Sequence, residues 1–209
     1  MENLNLKFGQ KAQQTFKRIC IIALSLCLNY NLLSQSEPAK FGVSANSSIS
    51  GAGFGTMYTP GLFYQKNDCK IELGMNVQKR KLNVSGMQVN FEYTLFDDSK
   101  GCYEESLAGD IELFVFSTIK YNSNAYLSTS VIKKEKMINK DDKIPYENLK
   151  YTAIEGYVGV GLKIKLTENL KYNNSIGFGG WTTLKGENGL YRDYDGISIC
   201  LTTGLSYDF

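Results

Sequence analysis

The stretch Ile197–Phe209 reads ISICLTTGLSYDF and alternates between two kinds of side chain. The residues between the large ones are small or polar, and Cys200 is among them. Successive side chains of a β-strand point to opposite faces, so this stretch predicts a strand with one apolar face and one polar face. The large, mostly apolar set consists of Ile197, Ile199, Leu201, Thr203, Leu205, Tyr207 and Phe209.

The same alternation recurs upstream and predicts eight strands in all. In the fifth, Phe114 and Phe116 interrupt the polar side. The fold class predicted is all-β, a single antiparallel β-barrel. The seven further predicted strands are Phe41–Ser48, Thr56–Gln65, Lys70–Gln78, Met87–Leu95, Ile111–Lys120, Glu155–Leu166 and Leu170–Phe178.

The connections fall into two sets, which we expect at opposite ends of the barrel. Transmembrane barrels have short periplasmic turns and longer outer loops. The inner set is Lys66–Asp68, Asp97–Gly109 and Thr167–Asn169, in which only Asp97–Gly109 is long. The outer set is Gly51–Gly55, Lys79–Ser85, Asn122–Lys150 and Leu184–Asp195. Asn122–Lys150 holds ten charges of both signs, and we interpret its Ala125–Ile132 part as an extension of the fifth strand.

Residues 1–36 resemble a secretory signal peptide, which leaves 37–209 as the barrel. Four basic residues precede the apolar run Ile19–Leu28, which is too short to span a bilayer as a helix. Ser34 and Ser36 are placed for cleavage. Leu26 is too bulky for Cys27 to lie in a good lipidation motif. The alternative is a buried helix of a cytosolic protein.

Periodicity alone does not separate a membrane barrel from a soluble one, since both alternate. The polar faces here are rich in Gly, Ser, Thr and Asn, which suits a narrow lumen. The apolar faces carry aromatics near strand ends, as interface girdles do. These aromatics are Tyr93, Tyr121, Tyr172, Tyr207 and Phe209.

The last strand also carries a resemblance to a known group. Its end, Leu205-Ser206-Tyr207-Asp208-Phe209, resembles the C-terminal signal by which outer-membrane barrels are recognised for insertion. With the leader, the chain resembles small barrels of the OmpA/OmpX type, the "outer membrane protein beta-barrel domain" group. The resemblance implies an outer-membrane location, contact with outer-membrane lipid and with the barrel-insertion machinery, and Leu205, Tyr207 and Phe209 as the insertion signal. It transfers no functional residue.

Composition argues against several classes of function. Lys and Arg exceed Asp and Glu by only two, so a nucleic-acid partner is not expected. The chain has no His, the commonest general base. We therefore assign no catalytic, cofactor-binding or metal-binding residue and predict that the protein is not an enzyme.

Single charges lie on the predicted luminal faces and allow two interpretations. One is a paired-carboxylate site or an ion path. The other is salt bridging that fills a narrow lumen, which we favour because an unpaired buried charge costs several kcal/mol. The residues are Glu72, Glu92, Glu112 and Glu155, with Lys70, Lys120, Lys163, Lys165 and Lys171.

Three further motifs have an ordinary explanation. The glycine-rich Gly51–Gly55 lacks the Lys-Ser/Thr of a phosphate loop, so we read it as a bend. Lys133–Lys136 could touch anionic headgroups, but such a run is more often a solvated loop. We expect Trp181 to be an interface anchor or a lumen plug.

Three cysteines remain once Cys20 and Cys27 leave with the leader. We predict a disulfide between Cys69 and Cys102 on the inner rim, with Cys200 inside the wall and out of reach. Three free thiols are the alternative.

Eight strands leave an interior filled by side chains, which argues against a diffusive porin. The function favoured is a non-enzymatic barrel with a surface or envelope role, whose loops bind an envelope partner or which simply anchors the envelope. The alternatives are an accessory subunit of an envelope secretion or transport assembly and a lipid-modifying barrel enzyme.

Overall fold

The computed structural model describes residues 38–51, 54–79, 82–97, 111–126, 150–186 and 195–209. It confirms the eight predicted strands, and Ala39–Phe209 form one compact unit. The predicted signal peptide lies outside the described residues and stays a prediction. The strands are β1 Lys40–Ser50, β2 Gly55–Lys66, β3 Cys69–Gln78, β4 Asn83–Asp97, β5 Ile111–Tyr126, β6 Lys150–Lys165, β7 Leu170–Gly186 and β8 Asp195–Asp208.

The eight strands form a closed antiparallel barrel in which each strand pairs with its neighbours in chain order. Pairing of β1 with β8, from Gly42 opposite Asp208 to Ser50 opposite Cys200, closes the ring. Closure leaves no sheet edge, so the strand backbone is satisfied without water. Over the described ranges, no helix is long and apolar enough to cross a membrane.

The barrel has two unlike ends. We call the end with Lys40 and Phe209 the termini end and the opposite end the loop end. Two predicted tight connections at the termini end are confirmed: Asn67 turns with a φ of 53°, and the amides of Leu166 and Thr167 donate to Leu170 O at 2.8 and 3.1 Å. The connections 98–110, 127–149 and 187–194 lie outside the described residues.

Three outer segments that we predicted as loop are partly strand. β5 runs on to Tyr126, β4 begins at Asn83 and β7 ends at Gly186. The predicted limit of β5 at Lys120 was too short, because pairing with β6 continues in register to Asn122 and resumes after an irregularity with Ala125 opposite Tyr151. The first two residues of the proposed extension, Ala125 and Tyr126, are strand. The part of the proposed Ala125–Ile132 extension after Tyr126 lies outside the described residues.

The predicted alternation of faces is confirmed, with the polar side inward. In β8 the odd-numbered residues from Ile197 to Phe209 are exposed, and Ser198, Cys200, Ser206 and Asp208 are buried. The register shifts between Thr94 and Phe96, so Leu95 and Phe96 both face outward.

Five inward-facing aromatic side chains each have a glycine directly opposite them on the neighbouring strand. A Cβ on Gly161 would collide with the Phe114 ring, and one on Gly42 would collide with the Phe63 ring. At four of these glycines the missing Cβ makes room for the opposite ring in a narrow lumen, whereas a Cβ on Gly179 would meet backbone atoms of Gly156 and Tyr157. The pairs are Gly42–Phe63, Gly159–Phe116, Gly161–Phe114, Gly179–Tyr157 and Gly196–Trp181.

Gly161→Ala should lower the free energy of unfolding by about 1–3 kcal/mol, because the new methyl group overpacks a filled site. Gly180→Ala is the matched control on β7, since its Cβ would meet only Gly196 O at 3.1 Å. Urea unfolding in lipid vesicles measures both. Equal losses for the two variants would contradict the ring-over-glycine account.

The predicted insertion signal lies at the termini end of β8. The amide of Phe209 donates to Phe41 O at 2.8 Å, while its ring is exposed and lies 5.7 Å from the Tyr207 ring, measured between centroids. Phe209→Ala should therefore lower the amount of protein in the outer membrane and increase periplasmic degradation, yet change little in an already folded barrel.

Phe41→Ala is the matched control for Phe209→Ala, since Phe41 is an equally outward aromatic on the same rim. Fractionation at native expression, with heat-modifiable gel mobility as the test of folding, reads out both variants. Unchanged levels for Phe209→Ala would rule out its role in recognition.

The structure describes one of the two cysteines of the predicted disulfide. Cys69 begins β3 at the termini end, whereas Cys102 lies outside the described residues. Cys200 is buried inside the barrel, as expected. Mass spectrometry of the unreduced protein should find a peptide that joins Cys69 to Cys102, a link worth about 2–4 kcal/mol. A bridge to Cys200, or alkylation of both Cys69 and Cys102, would show that the prediction is wrong.

Candidate functional site

The lumen contains a chain of buried charges in which carboxylate and ammonium groups alternate. We call it the ion-pair ladder. Its successive nitrogen–oxygen distances are 3.0, 3.4, 2.7, 4.0, 2.7 and 3.8 Å. Its members in order are Glu72, Lys70, Glu92, Lys163, Glu112, Lys171 and Asp208.

Strand register brings the ladder together. Lys70 lies directly opposite Glu92 across β3 and β4, and Glu112 lies opposite Lys163 across β5 and β6. Lys163 also reaches across the lumen to Glu92, which makes Glu92 the bridge between the two cross-strand pairs. All members lie near the strand ends that form the termini end, so the ladder fills that half of the barrel.

Neutral groups complete the environment of the ladder. Asn46 donates to Glu72 Oε1 at 2.8 Å, and Asn90 donates to Glu92 Oε1 at 2.8 Å. The Lys163 ammonium lies 4.6 Å from the centroid of the Phe114 ring, where the π-cloud favours a cation. Ladder charges therefore meet opposite charges, amides or rings, as burial requires.

A second polar network fills the half nearer the loop end and is centred on Glu155, which is fully buried. Asn122 donates to Glu155 Oε1 at 2.7 Å, and the Tyr157 hydroxyl donates to Oε2 at 2.8 Å. Asn76 donates to Asn122 Oδ1 at 3.0 Å and accepts from Thr59 at 3.2 Å. These groups hold a carboxylate with neutral donors, in contrast to the ladder.

Lys120 lies between the ladder and this network. Its ammonium donates to Ser48 Oγ at 2.9 Å and lies 3.6 Å from Cys200 Sγ. The adjoining cavity has a volume of about 30 Å³ and is lined by Asn46, Thr118 and Tyr157 among others. That volume holds about two water molecules. The middle of the barrel is therefore packed, not open.

Aromatic rings lie across the lumen at the loop end. Trp181 faces inward and meets the buried Phe54 edge-on, with ring centroids 5.8 Å apart. Gln78 binds the backbone on both sides, donating to Phe54 O at 2.6 Å and accepting from Tyr126 N at 2.9 Å. Of the two roles expected for Trp181, the position fits the lumen plug. Phe54 also ends the glycine-rich bend, of which Ala52 and Gly53 lie outside the described residues.

The luminal charges predicted from the sequence do lie inside. Glu72, Glu92, Glu112 and Glu155 are buried, and so are four of the five lysines. Lys165 is half-buried at the end of β6. Sequence reasoning missed Asp208, Asn76, Asn122 and Tyr157. Each lies at an inward-facing position of its strand. The partners of Asp208, Asn76 and Asn122 lie on other strands, whereas Tyr157 bonds Glu155 two residues away on its own strand. In the described parts of the chain, no group of three or more Cys, Asp or Glu is arranged to hold a metal ion.

The outer face has the opposite character. Large apolar side chains are exposed all around the barrel, and aromatic pairs such as Phe41 and Tyr64, 5.2 Å apart, stand on the rim of the termini end. A water-facing surface does not carry apolar area on this scale. Representative exposed residues are Ile49, Leu62, Leu73, Met87, Val160, Ile176, Phe178, Ile199 and Leu201.

An apolar belt outside, buried charges inside and a closed antiparallel wall define the class. The chain is a small, eight-stranded outer-membrane β-barrel with a packed polar lumen.

Two solved structures are similar in fold. One is Neisserial surface protein A (NspA), with a TM-score of 0.45 and 11% identity over 84% of this chain and 100% of that chain. The other is a major outer membrane protein from Thermus thermophilus, with a TM-score of 0.39 and 12% identity over 83% of this chain and 100% of that chain. No protein-family model and no curated protein matches the sequence. The assignment to the outer-membrane barrels rests on the apolar outer face and the polar inner face of this barrel.

Proposed function

We propose that the protein is a closed, non-enzymatic outer-membrane barrel that acts through its outer loops, by binding an envelope or surface partner. The packed lumen carries this proposal. The ion-pair ladder fills one half, the Glu155 network the other, and the cavity between them, of about 30 Å³, admits about two waters. Among the described residues, such an interior leaves no channel through the lumen for a solute.

The disposition of the polar groups also argues against catalysis. Glu92 and Glu112 are each held by two ammonium groups, and Glu155 is buried among amides and a phenol. A substrate would have to enter a filled lumen to reach any of them. The belt faces lipid, so the loops are left as the surface for recognition. The segment Asn122–Lys150, with its ten charges of both signs, is the largest.

Two experiments test the proposal. Reconstituted in planar bilayers, the protein should give no conductance above that of protein-free membranes. In intact cells, replacing residues 130–146 with a glycine-serine linker of equal length should abolish crosslinks to its partner. Replacing residues 103–109, at the termini end, is the matched control, since it keeps Cys102 of the predicted disulfide, and it should leave those crosslinks unchanged.

The opposite results are equally informative. Steady ion conductance would overturn the closed barrel. Crosslinks lost only on replacement of 103–109 would favour the accessory subunit of an envelope assembly, because that connection joins β4 to β5 at the termini end.

A further inference from the structure

Three neighbouring strands carry polar side chains on the lipid-facing side of the wall. Asn174 of β7 lies opposite Thr203 of β8, which lies opposite Ser47 of β1. Tyr172 joins them, since the Thr203 hydroxyl donates to the Tyr172 hydroxyl at 3.0 Å. We call Ser47, Tyr172, Asn174 and Thr203 the polar row.

The polar row lies deep in the apolar belt. Thr203 is six residues from Ile197 at one rim and six from Phe209 at the other. An antiparallel strand rises about 3.4 Å per residue and tilts by about 45°, so each interval covers about 14 Å of depth. Thr203 is therefore close to the middle of the hydrocarbon layer, where a polar group has no water to bind.

The hydrogen bonding of the row is incomplete. The Tyr172 oxygen takes a hydrogen bond from Thr203 and also interacts with the Asn174 amide. Among the described residues nothing accepts the hydrogen of the Tyr172 hydroxyl, donates to Asn174 Oδ1 or binds the Ser47 hydroxyl. The row thus presents an unfilled donor and an unfilled acceptor to the lipid on one side and a hydroxyl, which is both, on the other.

We propose that two copies of this chain associate in the membrane through the polar row, about a twofold axis parallel to the membrane normal. All copies share one orientation in the membrane, and this axis preserves it. With the axis beside Thr203, the β7 side of one copy faces the β1 side of the other. Ser47 then accepts from Tyr172 and donates to Asn174 of the opposite copy, so the surface is complementary to itself.

The shape of the surface agrees with this contact. Ala45, Ser47 and Thr203 are small or β-branched, and Ala45 pairs with Leu205 just below the row. Small residues allow two membrane-embedded surfaces to approach closely, and interchain hydrogen bonds then hold them. Lipid chains offer neither donor nor acceptor and leave the row unsatisfied.

The test measures dimers of the full barrel, labelled with two fluorophores, in phosphatidylcholine vesicles at low protein-to-lipid ratio. The wild type should dimerise. Ser47→Val, and separately Tyr172→Phe with Asn174→Leu, should each weaken the dimer by about tenfold. Ser117→Val is the matched control, because Ser117 faces outward on β5 in the opposite wall.

Folding is checked by heat-modifiable gel mobility. The variants remove polar groups from the lipid-facing side, so their barrels should be at least as stable as the wild type. A wild type that stays monomeric would overturn the proposal. So would a wild type that associates only with a different protein. Dimers that resist both row variants, or that weaken equally with Ser117→Val, would also overturn it.

Discussion

Glu92→Gln should lower the free energy of unfolding by about 3–5 kcal/mol, the usual cost of removing one partner from a buried ion pair. Glu92 bridges Lys70 at 3.4 Å and Lys163 at 2.7 Å. Glutamine keeps the shape of the side chain but leaves Glu112, at 4.0 Å, as the remaining carboxylate beside Lys163 among the described residues. The result is a nearly uncompensated ammonium group in a lumen with little room for water.

Urea titration of the barrel in lipid vesicles, followed by heat-modifiable mobility, measures the loss. Glu168→Gln is the control, since it removes a carboxylate from the exposed turn between β6 and β7. Adding Lys163→Met to Glu92→Gln should recover part of the stability, because it removes the stranded charge. A loss below about 1 kcal/mol for Glu92→Gln, the value typical of solvated pairs, would show that the lumen is wet.

Leu201→Arg should destabilise the barrel by about 2–4 kcal/mol, the cost of arginine on the lipid-facing side near the bilayer midplane. Leu201 faces outward on β8, one outward position from Thr203. The effect depends on lipid outside the wall, so it tests the membrane belt directly.

Ile197→Arg is the matched control on the same strand. Ile197 also faces outward but lies at the loop end, where the cost should fall to about 0–1 kcal/mol. Unfolding of both variants in vesicles gives the difference. Equal costs at the two depths would contradict the placement of β8 across the bilayer.

The strands and their faces were predictable because both follow from a period of two. In β8 the alternation of the sequence shows which residues form the apolar face, and in the structure that face points outward. The loop-end limits were less predictable. β5 continues past Lys120 in register to Asn122 and then, after an irregularity in pairing, to Ala125 and Tyr126. The sequence indicated an extension from Ala125, but the position of the irregularity depends on the partner strand and is not evident from the sequence.

The contents of the lumen were predictable as a set but not as a network. The phase of each strand placed Glu92 and Lys163 inside, yet their contact depends on curvature and register over three strands. Asp208 lies on the polar face of β8, but its ion pair with Lys171 depends on the alignment of β7 with β8, which the sequence does not show. Phe114 and Phe116 broke the polar pattern, and only the opposite glycines explain how they fit.

We expect the seam between β1 and β8 to slow assembly of the barrel. It joins Gly42 to Asp208, so closure has to bring together segments separated by nearly the whole barrel sequence. Folding rates fall as the sequence separation of contacts grows. Until the seam forms, β1 and β8 each expose an unpaired backbone edge, which is costly in lipid and prone to aggregation in water. The partly assembled barrel is therefore the species most prone to aggregate, and its unpaired edges need to be shielded until β8 pairs with β1.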